Sequence, residues 1–241
     1  MGVGYQVSPL HRIVRLDMTH LRKRPVGRGE NALLDALGNP PRVQIVDGPV
    51  RTQSPTMERI VAWREGLARR YRGQLDEELT WDERSTSENS EDVGTSDDVI
   101  LHYAAAVLDE HGVAGLSMID QRRPNGRETG IAFAEADRRG FGGRFPQFLL
   151  GARIWLPFSR NLMIEEPDWD GRVERYGSVP RLVDELTALR AGIADANPSV
   201  KQSAEPEAQE YSLAAAWRAS STILRLATVA SKIHLPLWTT G

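Results

Sequence analysis

Phe145 to Tyr176 reads FPQFLLGARIWLPFSRNLMIEEPDWDGRVERY, and the fold turns on how this stretch is placed. It opens with a dense apolar run from Phe148 to Phe158 and resumes, after a polar Ser-Arg-Asn, as Leu162-Met163-Ile164. Short apolar runs rich in branched and aromatic residues predict two neighbouring strands. The acidic-aromatic segment Glu165-Glu166-Pro167-Asp168-Trp169-Asp170-Gly171 then predicts a charged turn with an indole at its tip.

Working outward, Gly177-Ser178 precedes Val179, Leu182, Val183, Leu186, Leu189 and Ile193, a 3.6-residue period that predicts a helix. Residues 195–209 have the composition of a linker. Glu210 to Lys232 predicts a last helix, apolar over most of its circumference and therefore buried, with Arg218, Thr222, Arg225 and Lys232 as a narrow polar stripe. Pro236 places the closing strand, His234 to Thr239, at a sheet edge, because proline cannot donate to a ladder.

Upstream, Ser54-Pro55 reads as a helix start, with Met57, Ile60, Val61, Leu67 and Tyr71 on the inner face and Arg59, Arg69, Arg70 and Arg72 on the other. A further helix begins near Thr95 and ends at Gly112, after which Val113 to Ile119 reads as a strand; Ile131 to Arg139 forms a short helix. Val3 to Leu16 and Val43 to Val46 read as short strands, and Ala32 to Leu37 as a short helix. Between the helices, residues 73–98 form a polar, acidic surface insertion, with the segment from Ser85 to Glu91 mobile and Leu79 and Trp81 pinning its first part. Strands and helices interspersed without regular βαβ spacing predict a single α+β domain over residues 1–241. It would have a mixed or antiparallel sheet, about five helices and a buried C-terminal helix.

With 40% hydrophobic and 26% charged residues, the 241-residue chain has ample material for a core. It holds no cysteine, which removes disulfides, thiolate nucleophiles and cysteine-based zinc sites. The first residues lack a secretory signal, and the apolar stretch Ile223 to Trp238 is too charged to span a membrane, so a cytoplasmic protein without a membrane partner is expected. The net charge of −3 is unevenly spread: residues 1–72 hold thirteen Arg/Lys against six Asp/Glu, and residues 73–98 hold ten Asp/Glu against Arg84 alone. Mutual neutralisation across the surface is favoured over a nucleic-acid face built from Arg22, Lys23, Arg24 and Arg28, which lack interleaved aromatics.

No cofactor or metal motif is present, and none of the five histidines pairs at i, i+4 spacing. Gly140-Phe141-Gly142-Gly143-Arg144 is a flexible turn able to approach a phosphate, but without a following helix. Glu165, Glu166, Asp168 and Asp170 could supply a general acid and base, the basis of an alternative enzymatic function; consecutive positions on an extended turn point apart, however, which disfavours a catalytic pair. The plain reading is a charged hairpin tip kept soluble. Among functional roles, partner recognition suits them better than catalysis, because Trp169 between two aspartates resembles an interface anchor and Trp81-Asp82-Glu83 repeats the combination. The candidate partner-binding residues are thus Trp169, Asp168, Asp170, Glu165, Glu166, Trp81, Asp82 and Glu83, with Trp169 partly exposed.

WLPFSRNLMIEEPDWDG at 155–171, RYGSVPRLVDEL at 175–186 and AAAWRASSTILRLATVASKIHLPLW at 214–238 together resemble the layout of immunity-type proteins that accompany bacterial toxins. The resemblance spans roughly residues 145–241. It implies a non-enzymatic inhibitor that neutralises a toxin by direct binding, with an acidic surface covering a basic active site. The basic first seventy residues depart from that pattern.

Overall fold

A computed structural model describes residues 2–13, 16–17, 23–25, 43–45, 50–51, 54–75, 79–119, 124, 126–202 and 212–240. The protein is α+β, built on a six-stranded mixed sheet. In chain order the strands are β1 (Gly2–Val7), β2 (Leu16–Asp17), β3 (Lys23–Pro25), β4 (Val43–Ile45), β5 (Val50–Arg51), β6 (Asn89–Gly94), β7 (Ile154–Leu156), β8 (Ile164–Pro167), β9 (Val173–Ser178) and β10 (Leu237–Thr240). The helices are α1 (Met57–Arg70), α2 (Thr95–Leu116), α3 (Gly126–Arg139), α4 (Pro146–Leu149), α5 (Val179–Ala196) and α6 (Leu213–Ile233).

Two compact units form: Met1–Arg12 with Pro55–Gly241, and Ile13–Ser54. Within the smaller, β2 pairs with β5 and β3 with β4, both antiparallel. The helix expected over Ala32–Leu37, along with Arg22 and Arg28, lies outside the described residues. In the larger unit the sheet order is β6-β1-β10-β7-β9-β8, antiparallel except where β7 meets β9.

Three long helices, α2, α5 and α6, pack on one another and against the sheet. Each hides an apolar face: Leu182, Leu186, Leu189 and Ile193 of α5 and Ala215, Ala216, Ile223, Ala227 and Ala230 of α6 are fully buried. Ser178 caps α5 by accepting from the Arg181 amide at 3.3 Å, and Ser212 caps α6 through the Ala215 amide at 3.2 Å. The polar stripe of α6 meets acidic partners: Arg218 pairs with Asp97 at 3.3 Å, and Arg225 pairs with Glu91. No described helix is long and apolar enough to cross a membrane.

Several expectations are corrected. The acidic segment is ordered at Asn89–Gly94, where β6 pairs with β1 along its whole length, Gly2 opposite Gly94 and Val7 opposite Asn89. Helix α2 does not stop at Gly112; the chain kinks there (φ 65°, ψ −163°), a left-handed φ that glycine adopts without a Cβ clash, and helix resumes through Leu116. No strand therefore forms over Val113–Leu116. Strand β10 lies between β1 and β7, inside the sheet, because Pro236 falls one residue before the strand and costs no ladder bond. The apolar run from Phe148 splits into the end of α4 and the three-residue β7. Its expected neighbour β8 is separated from it by β9. Helix α5 continues into the expected linker as far as Ala196, and a 3-10 turn at Pro198–Gln202 buries Val200.

Candidate functional site

The acidic-aromatic turn closes the β8–β9 hairpin. Glu165 faces Arg175 and Pro167 faces Val173 across the ladder. Pleating sends these four residues outward, all exposed, while Ile164 and Tyr176 are buried on the opposite face. The turn is tied internally by Asp168, whose carboxylate accepts from the amides of Asp170 (2.7 Å) and Arg172 (2.9 Å). The Asp168 amide donates to the Arg172 carbonyl at 2.8 Å, and Gly171 takes the left-handed conformation at φ 81°.

Helix α1 lies against the hairpin. Arg59, Trp63 and Arg70 recur on one helical stripe. Trp63 donates through Nε1 to the Pro167 carbonyl at 2.9 Å, and its ring meets Trp169 edge-on at 5.4 Å and Tyr176 at 5.2 Å. Arg59 pairs with Asp170 at 3.3 Å, and Arg70 with Glu166 at 3.3 Å. The Tyr71 hydroxyl donates to Glu166 at 3.3 Å; burial and the Glu166 charge together raise the Tyr71 pKa.

Trp169 is therefore not a partly exposed anchor: it is 6% exposed, and Asp168 is 5% exposed. An indole hemmed in by Trp63 has no face left to offer a partner. Trp81 and Glu83, at 6% and 4% exposure, are likewise unavailable to a partner, while Trp81 and Leu79, at 2%, pin the first part of the acidic segment as expected. Glu83 accepts from the amides of Leu10 (3.3 Å) and His11 (3.2 Å), from the Trp81 indole, and pairs with His11 Nδ1 at 2.9 Å. Arg64 donates to the Trp81 carbonyl at 2.5 Å and stands 4.9 Å from the Trp81 ring. Only Asp82 of that trio is exposed, and it accepts from the Arg84 amide at 2.9 Å.

The four turn carboxylates do not converge. Glu165 pairs with Arg175 at 2.9 Å, Glu166 turns to the opposite face of β8, and Asp168 and Asp170 have the partners given above. Among the described residues no group of three or more His, Asp or Glu side chains is placed to hold a metal ion. The glycine turn Gly140–Gly143 is met by a carboxylate, since Asp109 accepts from the Arg144 amide at 2.6 Å. His102 stacks on Phe148 at 4.1 Å and bonds the Asp98 carbonyl at 2.9 Å. Asp98 in turn accepts from Tyr5 at 2.7 Å, and burial lifts the Tyr5 hydroxyl well above its ordinary pKa.

A second polar centre had no sequence signal. Glu185, 8% exposed, accepts from the α4 amides of Gln147 and Phe148, both at 3.0 Å. Burial pushes its carboxyl up to about 8 against the opposing effect of those two N–H groups. Gln147 is fully buried and accepts from the Ser178 amide at 2.7 Å. Strand β9 passes this centre so closely that a Cβ on Gly177 would strike the Trp155 indole.

These features define an α+β protein whose most conspicuous charged and aromatic residues are engaged within its own fold. Compared with family models, with curated proteins and with solved structures, the chain finds no match in any of the three.

Proposed function

We propose that the protein is a non-enzymatic binding module, an inhibitor of the immunity type that neutralises a toxin by direct contact through the outward face of the β8–β9 hairpin. The observation that carries this reading is Val173, an apolar side chain 66% exposed on a hairpin that is otherwise firmly supported. Glu165, Pro167 and Arg175 share its face. Trp63, Trp169 and Asp168 hold the hairpin in shape from behind, so a partner would pay little ordering entropy on docking. The charges of this hairpin are largely balanced, since Arg175 pairs with Glu165 and reaches Asp137, and Arg59 pairs with Asp170. Affinity therefore rests on the apolar contact, and charge tunes the rate of association.

The test is affinity co-purification from the cells that make the protein, comparing wild type, Val173→Asp and Ile131→Asp, the last at an exposed apolar residue of α3. A protein captured by wild type and Ile131→Asp but lost with Val173→Asp, and toxic unless the wild-type protein is present, is the expected result. Equal capture by all three would remove the hairpin as the contact.

A further inference from the structure

The two edges of the six-stranded sheet are finished differently. At one, β8 is covered by α1, where the Trp63 indole donates to the Pro167 carbonyl and the Tyr71 hydroxyl to Glu166. At the other stands β6, which runs opposite β1 without a break, from Gly94 at Gly2 to Asn89 at Val7. An antiparallel ladder commits alternate residues of β6 to β1, so the residues between them turn their N–H and C=O groups outward. No described strand pairs on that side, and Asn89, Ser90, Asp92 and Gly94 are exposed. Sheet edges are commonly blunted by proline, a bulge or a very short strand. In β6 none of these is present: its sequence NSEDVG has no proline, its register is continuous, and it is six residues long.

We propose that the free edge of β6 accepts an extended segment of a partner protein as a seventh strand, one carrying lysine or arginine at alternate positions. Main-chain hydrogen bonds supply affinity in this mode of docking, and alternate side chains supply selectivity. The charge along the edge selects a basic segment. Glu88 pairs with Arg12 at 3.2 Å and Glu91 with Arg225, whereas Asp92 forms no ion pair among the described residues. Its cross-strand neighbour on β1 is Gly4, which brings no side chain to neutralise it. A second copy of this chain does not fit the same edge. About a two-fold axis, the antiparallel registers of greatest overlap set Glu91 against Glu91 or Asp92 against Asp92, and like charges directly opposed destabilise a strand pair. The acids thus guard the edge against copies of the chain while leaving it open to a strand of opposite charge.

This contact lies at the opposite edge of the sheet from the β8–β9 hairpin, so Val173→Asp leaves it intact. Fluorescence anisotropy tests it on the full chain with a labelled peptide of alternating lysine and threonine, about six residues long to match a strand. Two controls accompany it: the same peptide N-methylated at every amide, and a counterpart with glutamate in place of lysine. Saturable binding is expected for the unmodified lysine peptide alone, together with slowed hydrogen exchange at the outward amides of Asn89–Gly94. Asp92→Lys weakens that binding at least about fivefold and Asp92→Asn does so by less. Both leave the melting temperature nearly unchanged, because Asp92 is exposed. Absence of saturable binding by the lysine peptide overturns the proposal. So does equal binding of the methylated peptide, which would reduce the contact to charge attraction without a strand, or affinity unchanged in Asp92→Lys. Self-association of the protein alone, with those outward amides protected, would give the edge to a second copy and likewise overturn it.

Discussion

Single residues in this protein are decided by their partners rather than by their chemical type. Six acids and two indoles looked like recognition chemistry. Asp168 closes its own turn, Glu83 gathers the amides of Leu10 and His11, and Trp81 and Trp169 are walled in. The burial of Trp81 was legible and the bonds of Asp168 are local, but the engagement of the hairpin by Arg59, Trp63 and Arg70 was not, because those residues lie about a hundred positions away. Glu185 gives the clearest pH dependence. Its carboxyl titrates at about 8 in the folded chain and near 4.5 when unfolded, so between those values the folded state holds a proton that the unfolded state has released. Stability is then greatest below the unfolded value and falls as pH rises toward 8, with a slope of up to about 1.4 kcal/mol per pH unit. Denaturant titrations of wild type and Glu185→Gln between those pH values measure it. The slope should be absent from the variant; an equal slope in both would assign it to another group.

At the scale of elements, strongly periodic or capped segments were legible. Helix α5 follows its 3.6-residue pattern from the Ser178 cap, and α6 follows its apolar circumference. Elements set by tertiary pairing were not. Strand β6 reads Asn-Ser-Glu-Asp-Val-Gly, polar and mostly exposed, and becomes a strand because β1 offers it a complete antiparallel ladder at the sheet edge. Its acids are useful there: Glu91 meets Arg225 of α6, while nearby Glu88 accepts from Gln6 and pairs with Arg12. Gly112 misled for a related reason, since glycine often ends helices but here only bends one. Hydrogen exchange checks the strand. Amides of Asn89–Gly94 that bond to β1 should exchange far more slowly than those of Ser85–Ser87, and uniform fast exchange across both segments would return the region to a loop.

For the larger unit as a whole, the account rests on α1 being the support of the β8–β9 hairpin, across a separation of about a hundred residues: Trp63 to Pro167, Tyr71 to Glu166, Arg59 to Asp170. The individual ion pairs are half-exposed and contribute little each. The aromatic contact of Trp63 with Trp169 and Tyr176 carries the attachment, since buried indoles hide the most apolar area and gain from edge-on geometry. The most direct measurement is the unfolding free energy of Trp169→Ala by denaturant titration. Removal of a core indole predicts a loss of about 3–5 kcal/mol. A loss under about 0.5 kcal/mol, the size of an ordinary surface substitution, would contradict the account by showing that Trp169 is no part of the core.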